Sequence, residues 1–169
     1  MPSQLLPSEI LYQSNCKENI QTWRTVNDGV MGGISSSRMT TDQDNVTIFS
    51  GEVSLANNGG FCATKLDIQY QDLPRTATIL FRIKGDGKQY QFRVKEFRID
   101  KHTFTYAFTT RKDWEVIKIP ISELTPFYRG RQLDLPNYNG GSLEEITFLI
   151  GNKVAEHFEL CIDKIWIEF

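Results

Sequence analysis

The residue types that most often carry catalysis are few and scattered in this chain of 169 residues. Of its two histidines, His102 lies in a charged turn and His157 precedes a predicted strand without a serine or cysteine beside it. Because a nucleophile needs an adjacent base, these positions predict no nucleophile–base pair. Carboxylates are plentiful, but no pattern selects two of them for glycoside chemistry. We therefore expect a protein that is not an enzyme.

The cysteines offer no metal-binding pattern. Cys16, Cys62 and Cys161 are far apart and show no CxxC spacing, which predicts buried, reduced thiols in a reducing compartment. Zinc would need partners beyond the two histidines, and no acidic loop matches a calcium-binding pattern. We therefore predict no metal ion and no cofactor.

Bulk properties argue against two classes of partner. The formal net charge of −2 is unlike that of a general nucleic-acid or anionic-membrane binder. No apolar run approaches the roughly 20 residues that a transmembrane segment requires. The N-terminus lacks the basic segment and apolar run of a secretory signal. The length fits one domain, 1–169, for which a cytoplasmic location is expected.

Residues 23–35 combine glycines with apolar side chains that a solvated loop would not need. The glycines permit positive φ and no helical or strand period is visible, so we predict a shaped loop pinned against the core. The predicted structural positions are Trp23, Gly29, Met31, Gly32 and Gly33. Trp23 is either a core anchor or a stacking platform. Asn27 and Asp28 either form a polar rim that holds a ligand or partner peptide, or bond to their own backbone in a turn.

Short segments of alternating apolar and polar residues predict about ten β-strands. The clearest are residues 77–84 and 89–95, interpreted as a hairpin across a glycine turn at 85–88, followed by a strand at 103–110. The glycine turn lacks the spacing of a phosphate loop. With turns about every 8–12 residues and no convincing amphipathic helix, the fold class is predicted to be all-β, a two-sheet antiparallel jelly-roll sandwich.

Two polar features of these elements are candidate binding surfaces. Arg93 shares a polar strand face with Gln91 and Lys95, which is either a concave groove for sugar or peptide or an ordinary solvated surface. Residues 125–142 are predicted to form a long connection, and such loops are often functional. This segment contains a group of arginines and aromatic residues typical of interfaces, Phe127, Tyr128, Arg129 and Arg131. An interface role and a purely structural role for this group are equally open.

Several motifs follow one another in a fixed order along the chain. They are Trp23 with VNDGVMGGIS (residues 26–35), FSGEVSL (49–55), NNGGF (57–61), GDGKQY (85–90), Trp114 with Ile119-Pro120, and FYRG (127–130). Together they resemble the complex I intermediate-associated protein 30 family, and the resemblance covers about residues 23–165.

This resemblance implies a galactose-binding-domain-like β-sandwich, related in architecture to carbohydrate-binding modules. Mitochondrial members are assembly chaperones for respiratory complex I. The first residues do not resemble their Arg- and Ser-rich import extension, so we expect a stand-alone prokaryotic-type member. Some relatives are fused to Rossmann domains, but no GxGxxG motif is present here and no dinucleotide site is implied. We expect a protein partner, such as a respiratory-complex subunit; a carbohydrate bound in the groove is the alternative.

Overall fold

Alternating side chains form β-strands through most of the described part of the chain, which comprises residues 7–15, 22–31 and 33–169 of the computed structural model. Val30 and Met31 are described by their backbone alone. The strands are β1 (Ser8–Gln13), β2 (Trp23–Asn27), β3 (Ser36–Thr41), β4 (Thr47–Val53), β5 (Cys62–Leu73), β6 (Thr78–Lys84), β7 (Gln89–Lys95), β8 (Thr103–Thr109), β9 (Trp114–Pro120), β10 (Thr125–Tyr128), β11 (Arg131–Gln132), β12 (Gly141–Ile150) and β13 (Glu156–Glu168).

These strands build two antiparallel sheets. The six-stranded sheet has the order β3-β4-β13-β6-β9, with β1 also paired to β13. The seven-stranded sheet has the order β11-β10-β8-β7-β12-β5-β2. Short 3-10 turns lie at Asp28–Met31, Ala56–Asn58 and Ile121–Glu123. Within the described ranges, no helix is long and apolar enough to cross a membrane. The predicted all-β, two-sheet antiparallel sandwich is confirmed.

The core lies between the sheets and is dominated by aromatic rings. Phe81 of β6 contacts Phe92, Phe108 and Phe148 of the seven-stranded sheet, with ring centroids 4.9, 5.2 and 5.2 Å apart. Phe81, Phe92 and Phe148 are fully buried. Because successive side chains of a strand point to opposite faces, the same packing turns Gln91 and Arg93 of β7 away from the core.

The predicted hairpin between residues 77–84 and 89–95 is wrong. β6 pairs with β13 and β9, whereas β7 pairs with β12 and β8. The chain therefore crosses from one sheet to the other at residues 85–88. Both strands direct apolar side chains into the same core from opposite sides, so their alternation fits a hairpin and a crossover equally well.

Two segments predicted as irregular contain strands at opposite edges of the seven-stranded sheet. Residues 23–27 form β2, which pairs with β5. The predicted connection at 125–142 begins with β10, which pairs with β8 and turns back into β11. The two-residue turn has positive φ at Arg129 (51°) and Gly130 (76°), the conformation typical of a type I′ hairpin. Both segments border the outer face of this sheet.

Candidate binding groove

A groove crosses the outer face of the seven-stranded sheet. Its volume is about 460 Å³, and an adjoining cavity of about 280 Å³ continues it over β8 and β10. Gln91, Arg93 and Gly130 line both cavities. The strand register also places six outward residues in one row across the sheet, Arg24, Lys65, Thr147, Arg93, Thr105 and Thr125.

Arg93 lies at the centre of this row and is half-buried. Its Nε and Nη2 donate to Oε1 of Gln91 at 3.0 and 2.6 Å. Burial lowers the pKa of its guanidinium from the ordinary value. In the part of the chain that the structure describes, no carboxylate lies within 4.0 Å of Arg93. The groove floor therefore holds a partly desolvated cation that has no counter-ion among the described residues.

The other cations of the row have acidic partners. Glu145 is buried; its Oε2 accepts a hydrogen bond from Nη2 of Arg24 at 3.1 Å, and its Oε1 lies 3.6 Å from Nζ of Lys65. Arg24 also pairs with Asp67 at 2.8 Å, and this hydrogen bond lowers the pKa of Asp67. The uncompensated positive charge of the row is thus concentrated at Arg93.

Asp28 fixes the wall of the groove that Gly60 and Phe61 form. Its side chain is buried, with 2% of its surface exposed. Oδ2 accepts the N–H groups of Gly60 (2.6 Å) and Phe61 (3.3 Å) and the hydroxyl of Ser35 (2.5 Å), while Oδ1 accepts the Ser35 N–H (3.1 Å). Burial alone would raise the pKa of this carboxyl, but the hydrogen bonds outweigh burial and lower it. The carboxylate oxygens are therefore occupied in holding the wall.

The side chains of Asn27 and Trp23, on the same strand, also have partners within the protein. Oδ1 of Asn27 accepts the hydroxyl of Ser37 at 2.6 Å. Trp23 is buried, and its ring packs against Tyr12 (5.2 Å) and Phe148 (6.0 Å) between centroids. Trp23 thus faces the core, whereas the groove lies on the opposite side of the sheet.

The glycines of this segment have different surroundings. Neither Gly29 nor Gly33 adopts a positive φ, so neither is needed for an unusual backbone conformation. A Cβ at Gly33 would overlap the carboxylate of Asp28, whereas a Cβ at Gly29 would meet nothing within 4 Å. Gly32 lies outside the described residues, and the side chain of Met31 is not described. Gly33 therefore supplies the space that the buried carboxylate occupies.

Gly33→Val is expected to lower the free energy of unfolding by about 1–3 kcal/mol, because the added side chain displaces Asp28 from its hydrogen bonds. Urea unfolding measures the loss. The matched control is Gly29→Val, for which we expect a change within about 0.5 kcal/mol because the site is open. Equal losses in the two variants would contradict a specific role for Gly33.

The β10–β11 hairpin brings two of its four predicted site residues, Phe127 and Arg129, to the groove or its adjoining cavity. Phe127 is half-buried and lines the adjoining cavity. Arg129 is exposed and lines the main groove, with its guanidinium carbon 5.3 Å from the ring centroid of Tyr128. Arg131 is exposed opposite Tyr128 and is not part of the lining. Arg93 of β7, Phe127 of β10 and Arg129 of the β10–β11 turn thus line the groove and its adjoining cavity.

Sequence analysis does not identify most of the other lining residues as site residues. They include Val26, Gly60, Phe61, Lys65, Thr147 and Leu149. The usable signal is the alternation of β5, where the polar residues Lys65, Asp67 and Gln69 alternate with the apolar residues Leu66 and Ile68. Assigning the remainder requires the register of β5 against β12, because only pairing decides which side chains share the outer face.

Most of the chain is similar to one known protein family. The family model described as Complex I intermediate-associated protein 30 (CIA30) matches residues 12–162. An uncharacterized protein of Schizosaccharomyces pombe is 29% identical over 168 residues, which cover 86% of this chain and 77% of that protein. The mitochondrial complex I intermediate-associated protein 30 of Mus musculus is 22% identical and is matched over 95% of this chain but 56% of its own length. The chain thus spans little more than half of the mouse relative.

Solved structures of carbohydrate-binding modules share the architecture. The family 11 module from Clostridium thermocellum, in complex with a β-1,3-1,4-mixed-linked tetrasaccharide, has a TM-score of 0.68 at 19% identity and covers 98% of this chain and 97% of that one. A variant of the family 29 module CBM29-2 has a TM-score of 0.58 at 10% identity and covers 96% and 91%. At these identities the likeness shows the jelly-roll fold.

Proposed function

This chain belongs to the complex I intermediate-associated protein 30 family, and from that premise we propose that it is a non-catalytic assembly factor that binds a protein partner. The partner segment lies in the groove on the seven-stranded sheet. The observation that carries the proposal is the groove itself, which joins an apolar floor, the rim residue Arg129 and Arg93, a cation without an acidic partner among the described residues. The partner is a subunit of a respiratory or other redox complex.

The floor of the groove suits an extended peptide. Val26, Ala63 and Leu149 supply apolar surface on one side, and Gln91 and Arg93 supply polar groups on the other. Side chains of an extended chain point alternately to opposite sides, so a bound strand can use both kinds of surface. A groove of this volume accommodates a few side chains at a time.

The surroundings of the groove support a protein partner. Ile34 and Leu55 are 62% and 44% exposed. They are the sequence neighbours of Ser35 and Ser54, which are joined by a hydrogen bond from Ser54 N–H to Ser35 Oγ at 2.9 Å. Exposed apolar side chains next to a groove are typical of protein-binding surfaces. At the opposite edge of the sheet, exposed Arg129 next to Tyr128 adds residue types enriched in interface anchors.

An oligosaccharide in the same groove is the second candidate. It is favoured by the likeness to a carbohydrate-binding module solved with a bound tetrasaccharide. Gln91 and Arg93 offer hydrogen-bonding groups, and half-buried Phe61 and Phe127 offer ring faces at the two cavities. A protein partner remains our first proposal because the chain belongs to the complex I intermediate-associated protein 30 family and exposed Leu55 lies against Gly60 of the groove wall.

Site-specific photo-cross-linking in the native host tests this proposal. A photoreactive residue replaces Ala107, which is exposed in the groove, and the matched control replaces Val116, which is 42% exposed on the six-stranded sheet. We expect a subunit of a redox complex to be cross-linked from position 107 and not from 116. Arg129→Ala is expected to reduce the yield at least ~5-fold while changing the free energy of unfolding by less than about 0.5 kcal/mol.

Three outcomes would contradict this assignment. The same proteins cross-linked from both positions would show non-specific contact. A large stability loss in Arg129→Ala would mark Arg129 as structural. If position 107 captures no protein while a mixed-linked β-glucan oligosaccharide binds the purified chain, the carbohydrate function is the correct one.

A further inference from the structure

We propose that the groove recognises a carboxylate of its partner segment, bound end-on by the guanidinium of Arg93. This inference rests on the proposed function, since it names the chemical group that a peptide in the groove must present. The ligand class is an acidic peptide, with an Asp or Glu side chain or a C-terminal carboxylate at the centre of the groove.

The hydrogen bonds of Arg93 leave one edge of its guanidinium open. Gln91 accepts from Nε and from one N–H of Nη2, which fixes the plane of the group. The edge formed by Nη1 and the second N–H of Nη2 has no acceptor among residues 7–15, 22–31 and 33–169. This edge has the two-donor geometry that matches the two oxygens of a carboxylate.

The strand neighbours of Arg93 that the structure describes supply no competing acid. Across the sheet its neighbours are Thr147 and Thr105, and along β7 the outward residues on either side are Gln91 and Lys95. The nearest acid in the adjoining strand positions is Glu145, which is buried and engaged by Arg24 and Lys65. Local charge complementarity therefore favours an anion at Arg93.

Partial burial strengthens this preference. Arg93 is half-buried, and its lowered pKa reflects the loss of solvent around the guanidinium. A charge pair formed away from bulk water gains more electrostatic energy than one on an exposed surface. The apolar side chains of Val26 and Leu149 line the same cavity and exclude water from the bound pair.

The test uses an array of short peptides tethered by their N-termini, with Glu or its isostere Gln at the central position. Each peptide is made with a free and an amidated C-terminus, and an oligogalacturonate is included as an acidic sugar. We expect the intact chain to prefer Glu peptides over Gln peptides about tenfold, roughly 1.4 kcal/mol. Preference for free over amidated C-termini would identify the terminal carboxylate as the source.

Arg93→Gln is expected to abolish this preference. Arg93→Lys keeps the charge but loses the two-donor edge, so we expect a reduced preference for Glu peptides. A preference that this variant retains in part shows that substitution at position 93 does not unfold the chain. The matched control is Arg38→Gln, since Arg38 is exposed on β3 of the other sheet and has no acid within 4.0 Å in the described ranges. This control should bind like the wild type.

The outcomes separate this inference from the proposed function. Equal binding of Glu and Gln peptides, or a preference that persists in Arg93→Gln, overturns carboxylate recognition and leaves peptide binding in place. Binding of oligogalacturonate alone overturns both and supports the carbohydrate alternative. Binding of no probe also overturns both.

Discussion

Asp28→Asn is expected to lower the free energy of unfolding by about 2–4 kcal/mol at pH 7, because a buried acceptor site becomes partly a donor site. The carboxylate accepts four hydrogen bonds, three of them from backbone N–H groups. An asparagine amide turns an NH₂ group toward some of these donors, which leaves them unsatisfied. Urea unfolding of both proteins measures the loss.

The effect of Asp28 depends on pH in a defined direction. Its hydrogen bonds lower its pKa in the folded state below that of the unfolded chain, about 3.9. A lowered folded pKa contributes stability above the unfolded pKa, and this contribution is lost as the pH falls through the folded pKa. The difference between wild type and Asp28→Asn should therefore be largest above about pH 5 and shrink below about pH 4.

A second aspartate provides the matched control. Asp42 accepts the N–H groups of Asp44 (2.8 Å) and Val46 (3.0 Å) in a surface turn, where an asparagine oxygen can replace it. We expect Asp42→Asn to change the free energy of unfolding by less than about 1 kcal/mol. If both variants lose equally, or if the Asp28→Asn difference does not vary with pH, the role of the Asp28 charge is contradicted.

The Asp28 variant also reports on the groove, since the two backbone groups it holds form one wall. Release of Gly60 and Phe61 should widen that wall and weaken peptide binding even at temperatures where the variant is folded. Sequence alone leaves two interpretations of Asp28 open, a polar rim that binds a ligand or a turn in which its side chain bonds to nearby backbone. The partners at positions 60 and 61 lie 32 and 33 residues away, and no local pattern indicates such contacts.

The sequence predicts where strands lie better than it predicts which strands pair. Alternation predicts a strand at 89–95, where the structure has Gln89–Lys95, and one at 103–110, where it has Thr103–Thr109. It does not distinguish the two sheets, because both send apolar side chains into the same core. The hairpin predicted between β6 and β7 fails for that reason.

The sequence likewise predicts which residues could bind a ligand in the groove, but not which residues they contact. Arg93 is identifiable because it alternates with core residues of β7. Its lack of an acidic partner within the described ranges depends on Thr147 and Thr105 lying opposite it, and this is set by the register of β12 and β8. Near the other edge, Pro126 and Gly130 suggest an irregular loop, although Pro126 lies on β10, next to the edge strand β11, and Gly130 lies in a type I′ turn.

Phe81→Ala is expected to have the largest effect on stability, a loss of about 3–5 kcal/mol in the free energy of unfolding. The ring is fully buried and bridges the sheets through its contacts with Phe92, Phe108 and Phe148. Its removal loses the transfer free energy of the ring and leaves a cavity that β-sheets on both sides cannot easily close. Chemical unfolding measures the change, with a constant m-value as the check on two-state behaviour.

The matched control is Phe97→Ala, since Phe97 is 43% exposed in the connection after β7, and a change within about 0.5 kcal/mol is expected.

The cavity in Phe81→Ala lies beneath β7 and β12, whose outer faces carry Arg93 and Thr147. Amide exchange should therefore accelerate in these two strands more than in β3 and β4. A loss below about 1 kcal/mol would mean that the sheets close over the missing ring. In that case the sheets would have moved, and the groove floor on β7 and β12 with them. Unchanged peptide binding by such a variant would contradict the view that the core holds the groove in shape.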